Sequence, residues 1–143
     1  MTAAPLGDKL LDHYRHPRNQ GELADADGVG SSGGHGCGRE VVLQIRVRQE
    51  RIAEIRFQLR GEQAEADSHE CLVSLAAASA MTELALGRYL DDAAEMTELE
   101  VAEALGGVPE DDWQCLGHGL DALHAAIMDY VRREIGRLSG RQR

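Results

Sequence analysis

Residues 40–61 read EVVLQIRVRQERIAEIRFQLRG, and their alternation decides the fold. Val41, Leu43, Ile45 and Val47 fall on one face of an extended chain, with mostly polar residues between them. Ile55, Phe57 and Leu59 repeat the pattern after the short stretch RQER, so the segment reads as an antiparallel hairpin. One face of that hairpin is apolar and needs a cover.

The sequence downstream supplies it. Residues 70–87, ECLVSLAAASAMTELALG, have the Ala/Leu/Met bias and roughly 3.6-residue period of a helix, stopped by Gly87. A short helical piece follows in LDDAAEM, and TELEVAEALGG carries the capping pair Thr97 and Glu100. The last helix has the clearest period, with Trp113, Leu116, Leu120, Leu123, Ile127, Tyr130 or Val131, Ile135 and Leu138 recurring every three or four residues. Arginines gather at its end, where they complement the helix dipole. Upstream, DKLLDHYRHP reads as a short amphipathic helix with Asp8 as N-cap and Pro17 just beyond it. Strands followed by helices give the α+β class: a small antiparallel sheet with helices packed on one face.

The segment GVGSSGGHGCG, residues 28–38, is more than half glycine. It suits a mobile loop or an irregular edge strand, because glycine permits both. At 143 residues, with no internal repeat or domain-scale linker, the chain reads as a single domain spanning residues 1–143. No apolar run approaches the roughly 20 residues that span a bilayer, and no secretory signal is visible at the start, so the expected place is the cytoplasm, away from membranes. A formal charge of −10 and few aromatic residues argue against nucleic acid as a partner.

Three cysteines, Cys37, Cys71 and Cys115, are far apart in the chain. An odd number without a signal peptide suits reduced thiols better than a disulfide framework. Taken one by one, each is a small buried hydrophobe. Yet all three fall at element boundaries: Cys37 before the first strong strand, Cys71 opening the Ala-rich helix, Cys115 in the first turn of the last helix. Helix N-termini favour thiolate, and three thiols converging on one end of a small sandwich would make a soft-ligand cluster suited to zinc or iron–sulfur. Spacing alone leaves convergence open, since no CxxC pair is present.

A longer pattern bears on the question. The opening LLDHYRHPRNQGEL, with Asp12-His13-Tyr14, Pro17-Arg18-Asn19 and Gly21, resembles the signature of the IscU/NifU family of iron–sulfur cluster assembly scaffolds. The likeness continues through Cys37-Gly38 and the hairpin, through Cys71 with Thr82-Glu83 and Gly87, and through Cys115 followed by ALHAAIMDY at 122–130. The resemblance implies a carrier and not a turnover enzyme, in which Cys37, Cys71 and Cys115 sit at one exposed tip. There they would hold a transient [2Fe–2S] cluster, or zinc when no cluster is present. It implies a cysteine desulfurase as sulfur donor and apo iron–sulfur proteins as recipients. The exposed tip could also assemble chains around a shared cluster, giving a homo-oligomer.

The departures from that pattern carry chemistry of their own. Arg39 stands where the family has aspartate after Cys-Gly, and Gln114 where many members have histidine before the third cysteine. The insertion EQAEADSHE separates Gly61 from Cys71, and the acidic LGGVPEDDW replaces the stretch that the family's chaperone recognises. Exchanging carboxylate for guanidinium favours thiolate at Cys37 but repels an approaching cation, and Arg39 cannot itself ligate a metal. Three sulfurs then leave a tetrahedral ion one donor short. His118, His69 and His35 are the candidate fourth ligands, each two or three residues from a cysteine, with Asp67 or Glu70 as replacement carboxylates. Two other functions compete with cluster assembly. One is a persulfide-accepting partner of a cysteine desulfurase; the other is a divergent zinc-binding paralogue that acts through protein contacts.

Overall fold

The computed structural model describes residues 7–33, 40–60 and 69–141, without the side chains of 33, 69–71 and 139–141. Strands β2 (Glu40–Arg48) and β3 (Arg51–Arg60) form the expected hairpin. Gln49 and Glu50 close it, both with positive φ (52° and 65°), which matches the twist of a tight two-residue turn. The register sets Val41 opposite Leu59, Leu43 opposite Phe57 and Ile45 opposite Ile55, so one face is continuously apolar. Leu43, Ile45, Ile55 and Phe57 are fully buried there.

Residues 28–33 are not a loop: Gly28–Gly33 form β1, an edge strand antiparallel to β2, in the order β1-β2-β3. The register pairs Gly28 with Ile45 and Gly30 with Leu43, so both glycines lie on the apolar face. Helix α5 (Gly117–Arg141) packs directly on them. A Cβ on Gly30 would stand 2.3 Å from the backbone nitrogen of Ala126 and 2.4 Å from the carbonyl of Ala122. Only glycine permits this approach.

Helix α2 (His69–Ala85) covers β3 and runs back toward the hairpin turn. Its end is fixed there by Gly87, which has a φ of +84° and donates its N–H to the Ile52 carbonyl. Two shorter helices follow, α3 (Leu90–Ala94) and α4 (Glu98–Ala104). The capping box of α4 forms as expected: Thr97 accepts from the Glu100 N–H, and the Glu100 carboxylate accepts from the Thr97 N–H.

In α1 (Asp8–Arg15) the N-cap is Gly7, not Asp8, and no side chain caps it. Asp8 lies instead in the first turn, where its charge complements the dipole. The last helix also starts later than its apolar period suggests. Residues Glu110–Leu116 form a separate 3-10 helix, so Cys115 precedes α5 rather than lying in its first turn. Helix α5 runs to Arg141, into the tail SGRQR.

A strap, residues 19–27, pairs with the free edge of β3 through a parallel bridge at Gln20 and crosses the other sheet face at Gln44. Asn19 and Gly21 exchange backbone bonds with Phe57, Leu23 exchanges two with the Gln44 amide, and Asp27 bonds to the backbones of Ile45 and Val47. Val42, which lies off the apolar face, and Leu23 of the strap are both buried.

The signature DHY…PRN has a structural cause. His13 is buried and its Nδ1 lies 2.7 Å from Ser79 Oγ on α2. Ser79 Oγ also accepts the Arg18 N–H at 2.8 Å, and the other ring nitrogen of His13, Nε2, faces the Glu83 carboxylate at 3.5 Å. Asn19, with φ of 61°, donates to Thr82 one turn further on. The serine, histidine and carboxylate follow one another as in a hydrolytic triad, but Ser79 is fully buried and packs α1 onto α2.

Burial, with Arg18 nearby second, holds the His13 pKa below its ordinary 6.5. The unfolded chain therefore takes up this proton at a higher pH than the folded chain does. The stability due to neutral His13 is complete above about pH 6.5, declines as pH falls below it, and stops changing once the folded-state pKa is passed. Urea midpoints measured from pH 7.5 to 5 should fall more steeply for the native chain than for His13→Gln. Parallel profiles would show that His13 does not carry this slope.

Candidate functional site

The described strand and helix ends define one end of the sheet. Gly33, the last residue of β1, pairs with Glu40, the first of β2, and Glu40 pairs with Arg60, the last of β3. Helix α2 terminates at the opposite, turn end beside Ile52, so its first turn points toward Arg60. Helix α5 runs antiparallel to β1, with Tyr130 and Ala126 beside Gly28 and Ala122 beside Gly30. Its beginning therefore lies toward Gly33. The starts of α2 and α5 share the end of the fold at which β1 and β3 finish.

Each cysteine stands at one of these junctions in the chain. Cys71 is the third residue of α2 by its backbone, and Cys115 immediately precedes the last residue of the 3-10 helix that leads into α5. Cys37, His35 and Arg39 lie outside the described residues, as do the side chains of Cys71, His69 and Glu70 and the whole of Asp67. Among the candidates whose side chains are described, Gln114 is exposed, His118 is half-buried in the first turn of α5, and Cys115 is only 3% exposed. The thiol is thus enclosed, whereas the family resemblance leads one to expect an open tip. The cause is local. In the 3-10 helix every third residue stands on one side, and Asp112 and Cys115 share the inward side while Asp111 and Gln114 share an exposed one.

Asp112 is the residue that the sequence conceals. It belongs to the acidic run EDDW, yet it is only 8% exposed, three positions before Cys115. Buried carboxylates are uncommon unless paired or ligating. Only one of the three cysteine side chains is described, and among the described residues no three His, Cys, Asp or Glu side chains group as metal donors. No described helix is long and apolar enough to cross a membrane.

Comparison with known proteins extends the likeness. The family model for the NifU-like N terminal domain matches residues 6–136. Iron-sulfur cluster assembly scaffold protein IscU 1 of Archaeoglobus fulgidus is 40% identical over 126 residues, which is 88% of this chain and 76% of that protein. IscU of Aquifex aeolicus is 36% identical over 129 residues, 89% of this chain and 76% of that protein. The solved structure of the N-terminal part of a nitrogen-fixing NifU-like protein from Brucella abortus superposes with a TM-score of 0.64. It covers 88% of this chain and 94% of that one, and at 17% identity it speaks for the fold alone. A sheet of the same build, a family match from residue 6 to residue 136 and 40% identity to an archaeal relative agree, and the chain belongs to the NifU-like N-terminal domain family.

Proposed function

We propose that this protein is an iron–sulfur cluster assembly scaffold and carrier, in which Cys37, Cys71 and Cys115 take up iron and sulfide as cargo. The observation that carries this reading is the 40% identity, over 88% of the chain, to a protein named as such a scaffold. The placement of Cys71 and Cys115 at helix starts that share one end of the fold supports it. Thiolates suit ferrous iron, sulfide and zinc alike, so zinc is a reasonable occupant when no cluster is bound. Sulfur would come from a cysteine desulfurase, and the finished [2Fe–2S] cluster would pass to apo iron–sulfur proteins in the cytoplasm. The protein binds and hands over; it does not turn over a substrate.

Three sulfurs need a fourth donor for a tetrahedral ion. His118, His69 and His35 remain candidates, and Asp112 joins them by position alone, one 3-10 turn before Cys115 on the same inward side. Arg39 and Gln114 tune the site without ligating: Arg39 adds positive charge that favours thiolate beside it. A persulfide relay without a cluster is the second reading, favoured by Arg39 standing in place of a metal-attracting aspartate.

Anaerobic incubation of the protein with ferrous iron, cysteine, a cysteine desulfurase and an excess of dithiothreitol, which reduces the desulfurase's persulfide sulfur to sulfide, should develop the visible absorption of a [2Fe–2S] cluster. Cys37→Ala and Cys71→Ala should each lower it at least tenfold. A native protein that stays colourless there, yet gains the mass of one sulfur atom on a cysteine when the desulfurase and cysteine are supplied without the reductant, would replace the scaffold by the relay. Neither colour nor added mass would overturn both.

A further inference from the structure

The apolar stripe of the last helix is buried only as far as the sheet extends. Leu123 and Ile127 are 1% and 5% exposed, but Ile135 and Leu138, in register with them, are 59% and 55% exposed. This second half of α5 faces Tyr89 and Leu90, beside the hairpin turn, across a groove of about 420 Å³. The groove lies at the opposite end of the sheet from the starts of α2 and α5.

Its chemistry is one-sided. Tyr89, Leu90, Val131, Ile135 and Leu138 give an apolar lining, and every charged residue in that lining is a carboxylate: Glu50, Asp91 and Glu134. Glu134 pairs with Arg137 on its own helix, whereas Glu50 and Asp91 have no ion-pair partner among the described residues. The complementary surface is on the same chain. At 100° per residue, Arg132 and Arg137 flank the Val131–Ile135–Leu138 stripe, one on each side. Their side chains are 70% and 61% exposed.

We infer that the second half of α5 is a self-complementary docking surface that takes a second copy of this chain. The two copies cross antiparallel about a two-fold axis near Ile135. Each sets Ile135 and Leu138 against the groove of the other, and Arg132 and Arg137 exchange their same-helix partners, Asp129 and Glu134, for the other copy's Glu50 and Asp91. A two-fold axis makes each attraction twice, which is why one acidic wall and one basic stripe on the same chain suffice. The net charge of −10 opposes association at long range. At 0.15 M ionic strength, however, interactions beyond about 8 Å are screened and the local pairs decide. So small a contact gives a reversible dimer, with a dissociation constant of about 10–100 µM.

Sedimentation velocity of the full chain, with reductant and chelator present, should show a monomer at about 5 µM giving way to a dimer near 500 µM. Ile135→Ser with Leu138→Ser should weaken association at least tenfold while leaving the melting curve close to that of the native protein. Charge reversal gives the sharper test. A chain carrying Arg132→Glu and Arg137→Glu, and another carrying Glu50→Lys and Asp91→Lys, should each be monomeric alone and form a mixed dimer when combined. A native chain that stays monomeric at 500 µM would overturn the inference, even if the groove then binds an added Lys/Arg-flanked apolar peptide. So would a native dimer indifferent to both charge sets, because its contact would lie elsewhere.

Discussion

Gly30→Ala is expected to cost about 3 kcal/mol or more of folding stability, which for a chain of this size lowers the melting temperature by about 10 °C. A single methyl group is usually absorbed by rotation of a neighbouring side chain. Here the neighbours at 2.3 and 2.4 Å are the backbone nitrogen of Ala126 and the backbone carbonyl of Ala122. Neither can move unless the α5 axis moves with it. Shortening Ala122 or Ala126 to glycine would not help, since their side chains are not the obstacle. Relief requires α5 to lift from β1 or β1 to leave the sheet. The first exposes Leu123 and Ile127; the second breaks the ladder to β2.

The loss should extend beyond stability. β1 ends at Gly33, four residues before Cys37, and α5 begins two residues after Cys115. A lifted α5 therefore displaces two of the proposed ligands relative to each other. Ser31→Ala, on the opposite and exposed side of the same strand, should change stability by no more than about 0.5 kcal/mol. Chemical denaturation of the two variants beside the native protein checks this. A Gly30→Ala protein within about 1 kcal/mol of native would mean that the strand and helix are not in the contact described.

The same contact marks where a sequence stops being informative. Alternation in residues 40–60 exposes the hairpin because one buried face imposes a period of two, and Thr97 with Glu100 exposes a helix start because both partners lie in the local sequence. A glycine carries neither signal. Gly28 and Gly30 are required by what lies across from them, Ala122 and Ala126, about a hundred residues away. The strap from Asn19 to Asp27 is hidden for a similar reason: its bonds go to Phe57, Gln44 and Val47, and it has no period of its own. The stripe through Ile135 and Leu138 shows the converse limit. Periodicity reveals that a helix has an apolar face, not whether the chain holds anything to cover it. For the candidate site, the boundary positions of Cys71 and Cys115 are legible, because breaks in pattern locate helix starts. The enclosure of Cys115 and Asp112 is not, because a seven-residue 3-10 turn and the first turn of an α-helix look alike in sequence.

That enclosure makes Cys115 the residue at which packing and ligation must be separated, and two substitutions do so. Cys115→Ala removes the sulfur but keeps a small apolar group, and should cost only about 1 kcal/mol. Cys115→Ser keeps the volume but sets a hydroxyl where a thiol was, which costs about 1–3 kcal/mol unless it finds a partner. If Cys115 served only the core, the two variants would differ in stability and both would still form a cluster. As a ligand it must give its sulfur to the cation as thiolate, which neither alanine nor a neutral serine hydroxyl can replace. Both variants should then lose at least nine-tenths of the cluster absorbance, the folded alanine variant included. Zinc at about a thousand times its dissociation constant should stabilise the native protein by about 4 kcal/mol, and most of that gain should vanish in Cys115→Ala. An alanine variant with native colour and a native response to zinc would return Cys115 to the core and leave Cys37 and Cys71 to bind without it.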